Sequence, residues 1–158
     1  MRRRIFYMLV VVLIVVIYSV YFAVPTGYLS DSYELEETVV TKVVDGDTIV
    51  IQGGQRIRLL NIDARERGEN CYKEAKEMLE ELVLLKNVTL ERDNDNKDRY
   101  GRLLRHVYVG NLSANLELVK KGLAVAYIYE PNIKYLKAFR TAEEQAKQEG
   151  GCVWTELP

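Results

Sequence analysis

Among 158 residues the chain has one histidine, one tryptophan and two cysteines, and its acidic and basic side chains nearly cancel, to a formal charge of −1. Each scarcity removes a class of chemistry. Cys71 and Cys152 stand far apart, in no metal-binding spacing and beside no candidate catalytic histidine, so neither a cysteine-based metal site nor a Cys/His nucleophile pair is in view. His106 lies in a strand-like run and is read as structural, and Trp154 as a packing anchor. A balanced charge argues against a broad electrostatic grip on a polyanion, so any such contact has to be local. There is no internal repeat and no low-complexity tract.

Apolarity is concentrated at the start. Met1-Arg2-Arg3-Arg4 precedes Ile5 to Val24, a stretch without charge. About 20 apolar residues at ~1.5 Å each span the ~30 Å hydrocarbon core, whereas a cleavable signal usually has an apolar region of only ~7 to 15. Residues 1–24 are therefore read as a cytoplasmic cap and an uncleaved transmembrane anchor. The arginines lie before the span, and Asp31, Glu34, Glu36 and Glu37 follow it with no basic residue before Lys42. The positive-inside bias then places the rest of the chain outside the cytoplasm. Cleavage near Ala23 and secretion is the alternative, and it leaves the domain on the same side. Residues 25–37 form an acidic linker and 38–158 the domain. In that compartment Cys71 and Cys152 are read as a disulfide.

Periodicity gives the fold class. The β-branched runs Thr38 to Val44 and Thr48 to Gln52 flank the turn dipeptide Asp45-Gly46, and Gly53-Gly54 leads to a third strand, Gln55 to Ile62. Ala75, Met78, Leu79, Leu82 and Leu85 recur at helical spacing between Cys71 and Leu85. Two more strands follow, Asn87 to Arg92 and Leu103 to Val109. A helix capped by Ser113 and ending at Gly122, and a last helix from Asn132 to Gln148, complete the chain. The expectation is an α+β, mainly β fold: a five-stranded OB-fold barrel with three helices, preceded by one transmembrane helix.

Three segments combine carboxylates with guanidiniums: Asp45-Gly46-Asp47-Thr48, Arg58 to Glu66, and Asp98-Arg99-Tyr100-Gly101-Arg102. A hard divalent cation takes oxygen ligands, and a scissile phosphate needs fixed positive charge against the negative charge that builds during attack. With Ala-Tyr-Ile-Tyr-x-Pro-Asn near the end, these motifs make the chain resemble the staphylococcal nuclease (thermonuclease) family from about Val39 to Trp154.

That resemblance implies a calcium-dependent, sequence-non-specific nuclease that cleaves DNA and RNA, preferably single-stranded or loosely paired, and leaves 3′-phosphates. It implies Ca2+ ligation by Asp47, Asp63 and the backbone carbonyl of Ala64, with Asp45 and Thr48 in support. Glu66 takes the place of the general base, Arg58 and Arg102 that of the phosphate clamp, and Tyr127 and Tyr129 lie near the nucleotide. The family often has Thr-Pro where this chain has Ala64-Arg65, so a cation stands beside the proposed base; if Arg65 points at Glu66, it weakens that base. Arg58 is expected to share a strand face with Leu60 and Ile62, where a charge wants a partner. The rival is a catalytically inactive OB-fold module, tethered to the membrane, that binds nucleic acid or protein; the presence of all five charged residues (Asp47, Arg58, Asp63, Glu66 and Arg102) favours the enzyme.

Overall fold

Runs of valine, isoleucine and threonine stiffen χ1 and pack well on a pleated surface, and they carry the first strands of the chain. The computed structural model describes residue 7 and residues 11–18 and 35–155. The chain divides into two units, Met1–Ser32 and Tyr33–Pro158. In the first, residues 11–18 are helical with exposed apolar side chains. Among the described residues no helix is long and apolar enough to cross a membrane. The rest of the expected anchor, and residues 25–34 of the expected 25–37 linker, lie outside the described residues, whereas residues 35–37 are strand.

In the second unit β1 (Leu35–Val43), β2 (Thr48–Ile51), β3 (Arg56–Leu59), β5 (Asn87–Glu91) and β6 (Leu103–Val109) form a closed barrel. Neighbours pair antiparallel, except that β3 closes on β6 in parallel, Ile57 opposite Leu103 and Arg58 opposite Leu104. Closure leaves the five strands without an open edge, as the sequence pattern implied. Ile49, Ile57, Leu59, Leu90 and Val107 fill the interior with no exposure above 0%.

Three short strands lie outside that pattern: β4 (Ile62–Ala64), β7 (Leu112–Ser113) and β8 (Ala124–Ala126), with β4 paired to β8. The expected third strand to Ile62 is thus two strands. Asn61 takes a left-handed conformation, φ 65°, which an asparagine tolerates and which reverses strand alternation. Arg58 therefore does not share an uninterrupted strand face with Leu60 and Ile62.

Three α-helices pack on the barrel, α1 (Tyr72–Val83), α2 (Ala114–Lys120) and α3 (Leu136–Gln148), followed by a 3-10 turn, Cys152–Trp154. Helix α1 buries Ala75, Leu79 and Val83, four residues apart. It stops two residues short of Leu85, which is left-handed and 74% exposed, because the chain turns there to enter β5. Ser113 caps α2, its hydroxyl accepting from Leu116 N–H at 3.3 Å. Helix α3 starts at Leu136 rather than Asn132. The reason is that the buried Asn132 side chain is engaged with Asp95: it accepts from Asp95 N–H at 2.9 Å and donates to Asp95 Oδ2 at 3.0 Å.

Candidate active site

Arg58 ends β3's contribution to one wall of a cleft of about 340 Å³ whose other walls include Asp98, Tyr100, Arg102, Tyr127 and Tyr129. Its guanidinium spans the Asn61 turn. Nη1 donates to the carbonyls of Leu59 at 2.7 Å and Ile62 at 2.8 Å. Nη2 lies 2.9 Å from Asp63 Oδ1 and 3.0 Å from Asp47 Oδ2. A charge taken out of water needs such compensation, and here two carboxylates supply it.

Asp47 stands at the end of the β1–β2 turn. Its N–H is held by Asp45 Oδ1 at 3.1 Å, its Oδ1 accepts from the Thr48 hydroxyl at 3.0 Å, and its Oδ2 accepts from Ala64 N–H at 3.1 Å. Burial pushes its pKa up to about 6 against the pull of Arg58 and the Ala64 hydrogen bond. Gly46 makes this placement sterically feasible. A Cβ there would come within 2.6 Å of Ala64 Cβ and 2.9 Å of Ala75 Cβ, so the turn seats between β4 and α1 only because position 46 has no side chain.

Arg102 reaches the same place from the loop before β6. Its Nε donates to Asp98 Oδ2 at 2.7 Å and its Nη1 to the Thr48 hydroxyl at 3.3 Å. Thr48 thereby links Arg102 to Asp47. Asp98 also accepts from the N–H groups of Tyr100 and Arg102, and these bonds with the Arg102 cation hold its carboxyl below the usual range although burial works the other way. Asp98 is a site residue that the motif reading left without a role; its position four residues before Arg102 was the available signal.

Tyr127 and Tyr129 follow β8 in non-strand backbone. Their ring centroids are 5.8 Å apart and tilted by 48°, and Tyr127 is 56% exposed. Tyr127 N–H donates to Asn61 O at 3.0 Å, and the Asn61 side chain donates to Asn132 O at 3.0 Å. The turn that aims Arg58 and the loop that carries the tyrosines are one hydrogen-bonded unit. Asn115, fully buried, ties α2 to it by donating to the carbonyls of Leu60 and Arg105. Nothing in its sequence context distinguished Asn115 from an ordinary helix residue.

Glu66 is placed differently. It is exposed, two residues beyond Ala64, and does not line the cleft; its N–H donates to Glu69 Oε2 at 2.7 Å. Arg65 does not point its charge at Glu66. It donates through Nη2 to Val153 O at 3.2 Å, so the condition under which Arg65 would weaken the base, pointing at Glu66, is not met. Cys71 and Cys152 form a disulfide with Cα atoms 5.9 Å apart. His106 is fully buried, edge-on to Tyr135 at 4.8 Å; burial lowers its pKa to about 4, and it takes no part in the cleft.

The donor set suits a hard cation. It is made of carboxylate oxygens, the kind such an ion takes, but Asp47 Oδ2 and Asp63 Oδ1 both face Arg58 Nη2, at 3.0 and 2.9 Å, so a cation held by them would stand beside that guanidinium. Among the described residues no group of three or more His, Cys, Asp or Glu converges on a common point, so the protein would fill such a shell only in part.

Residues 56–156 match the family described as staphylococcal nuclease homologue. Over 141 residues the chain is 38% identical to Endonuclease YncB of Bacillus subtilis, covering 82% of this chain and 67% of that protein. It is 41% identical over 133 residues to the SPbeta prophage-derived endonuclease YokF of the same organism, covering 77% of this chain but 45% of that one. It is 32% identical over 162 residues to the thermonuclease of Staphylococcus hyicus, covering 94% of this chain and 95% of that one.

Proposed function

This chain belongs to the staphylococcal nuclease homologue family, and from that premise we propose that it is a calcium-dependent nuclease hydrolysing phosphodiester bonds in DNA and RNA without sequence preference and leaving 3′-phosphates. The observation that supports the reading most is that Arg58 and Arg102 line one cleft with two exposed tyrosines, while Arg58 bonds Asp47 and Asp63 and the Thr48 hydroxyl links Arg102 to Asp47.

The residues divide the work by charge. Arg102 offers guanidinium donors to the phosphate oxygens, and Arg58, whose terminal nitrogens are bonded to the Leu59 and Ile62 carbonyls and to Asp63 and Asp47, brings its positive charge to the same cleft. They face a group whose negative charge grows during attack, in a partly enclosed cleft where fixed donors act more strongly than in water. Asp98 and Thr48 hold the Arg102 fork in place before substrate arrives. Asp47, Asp63 and the Ala64 carbonyl are the groups that would hold Ca2+, which when bound supplies Lewis-acid polarisation of the phosphate. Glu66, exposed and outside the lining of that cleft, is the carboxylate we assign as general base toward the attacking water. Tyr127 and Tyr129 offer stacking surface, and stacking is indifferent to base identity.

We place the domain on the outer side of a cell membrane. The arginines at positions 2–4, the exposed apolar run 11–18 and the Cys71–Cys152 disulfide support that placement. Protease added to intact cells would digest residues 35–155; protection of that domain until lysis would refute the placement.

The enzymatic reading is tested with the purified full chain, disulfide intact, incubated with labelled single-stranded DNA and RNA in calcium or in chelator. Calcium-dependent shortening, with products that need phosphatase before their 3′ ends can be extended, is the expected result. A folded protein that binds the strands but leaves them whole would instead identify a binding module.

A further inference from the structure

The loop that carries Glu66 has little to hold it. Residues 65–69 are all exposed, and no core side chain anchors them between Ala64 and Cys71. Locally, Glu66 and Glu69 bond each other twice, through Glu66 N–H to Glu69 Oε2 at 2.7 Å and Glu69 N–H to Glu66 O at 3.0 Å. That pairing shapes the loop but does not fix it to the barrel.

Two further links do, and both lead to the same place. Arg65 Nη2 donates to Val153 O at 3.2 Å, and Cys71 is bonded to Cys152, the residue before it. The 3-10 turn that receives both links is itself pinned to the body. Val153 is buried, and its N–H donates to Gly122 O at 2.9 Å. Gly151 N–H donates to Ala146 O at 2.8 Å. The backbones of Gly122 and Gly151 touch so closely that a Cβ on Gly122 would lie 2.4 Å from Gly151 Cα. Residues 65–71 are thus closed into a ring by one covalent and one hydrogen-bonded tie to a rigid anchor, and Glu66 sits inside that ring.

We propose that Arg65 and the Cys71–Cys152 disulfide are positioning elements for hydrolysis: they clasp the Glu66 loop to the C-terminal turn and so fix where the general base stands. The proposal rests on the nuclease reading above. A base displaced by about 1 Å can lose on the order of a hundredfold in rate, and a loop with few buried contacts opens easily once its ties are cut. Arg65, which takes the place of a family proline, therefore acts through the loop backbone and not through its charge on Glu66. The clasp also makes turnover sensitive to reduction of the disulfide.

The test uses the full chain, oxidised and reduced, with Cys71→Ser/Cys152→Ser, Arg65→Ala and Arg65→Lys. Steady-state cleavage of a single-stranded oligonucleotide is measured beside hydrogen exchange. Reduction and the double serine variant lower kcat by roughly ten- to a hundredfold, leave KM within about threefold, and speed exchange in residues 65–70 while the barrel strands stay protected. Arg65→Ala, which keeps the disulfide, moves both readouts the same way, and Arg65→Lys restores most of the loss because an ammonium can donate to the same carbonyl. Equal kcat and equal loop exchange in oxidised and reduced protein would overturn the clasp. So would faster exchange spread evenly over the barrel, which marks the disulfide as a general staple. A wild-type protein that cleaves nothing would refute the nuclease reading instead, and the exchange comparison would still decide the clasp.

Discussion

Arg58 bonds Asp63 across the left-handed turn at Asn61 that separates their strands, Nη2 to Oδ1 at 2.9 Å, and the same nitrogen stands 3.0 Å from Asp47. One guanidinium therefore holds together the two acids assigned to the cation while also belonging to the phosphate clamp. Its two backbone bonds, to Leu59 and Ile62, fix it in a geometry that no single-point donor reproduces.

Replacing Arg58 by Lys is accordingly expected to abolish most activity although the charge survives. Loss of one such donor typically lowers kcat by ~10² to 10³, and an ammonium cannot reach two carbonyls and two carboxylates together. Cleavage assays on Arg58→Lys and Arg58→Ala check this; a lysine variant retaining a third or more of the wild-type rate would remove the fork from the mechanism.

Tyr127→Ala should act on binding. Stacking on one ring contributes ~1 to 3 kcal/mol, so KM for a single-stranded oligonucleotide should rise by about 5- to 150-fold. Because the ring meets substrate and transition state alike, kcat should change little. Tyr127→Phe keeps the ring and should behave as wild type. A fall in kcat for Tyr127→Ala at unchanged KM would contradict the assignment.

Gly46→Ala should destabilise the fold by about 1 to 3 kcal/mol, the usual range for overpacking, because the new Cβ meets Ala64 and Ala75 at 2.6 and 2.9 Å. Urea unfolding measures the loss. Adding Ala75→Gly should recover part of it, and an unshifted midpoint for Gly46→Ala alone would show that the turn has room.

His106 governs part of the acid response. Burial lowers its pKa from 6.5 to about 4, so between those values the unfolded chain binds a proton that the native protein does not. Stability therefore falls as pH drops from 6.5 to 4, by up to about 3 kcal/mol from this group. Asp47 works in the opposite sense: its pKa, raised by burial from 3.8 to about 6, makes the native state the better proton binder over that window. Denaturant melts at several pH values should show a shallower acid decline for His106→Gln than for wild type. An identical slope in the two proteins would reject the assignment.

The barrel was legible because its signal is local and repeated. β-branched and apolar runs in Thr48–Ile51, Arg56–Leu59 and Leu103–Val109 mark the strands, and closure follows when every such strand needs a partner. Of the residues the motifs named, Arg58, Arg102, Tyr127 and Tyr129 line one cleft, and Asp47 and Asp63 bond to Arg58. Two features were not legible. The break at Asn61 depends on a single backbone angle inside an apolar run, and the roles of Asn115 and Asn132 depend on carbonyls and amides dozens of residues away.

Sequence by itself determined the class of the fold and the chemical inventory of the site, because hydrophobic period and side-chain type are properties of neighbouring residues. Which atoms meet was decided only in three dimensions. Arg58 found two carboxylates, Arg65 turned to Val153 instead of Glu66, and Gly46 earned its place through Ala64 and Ala75. Those outcomes are set by distances between segments far apart in the chain, and pairing at such range depends on the packed backbone.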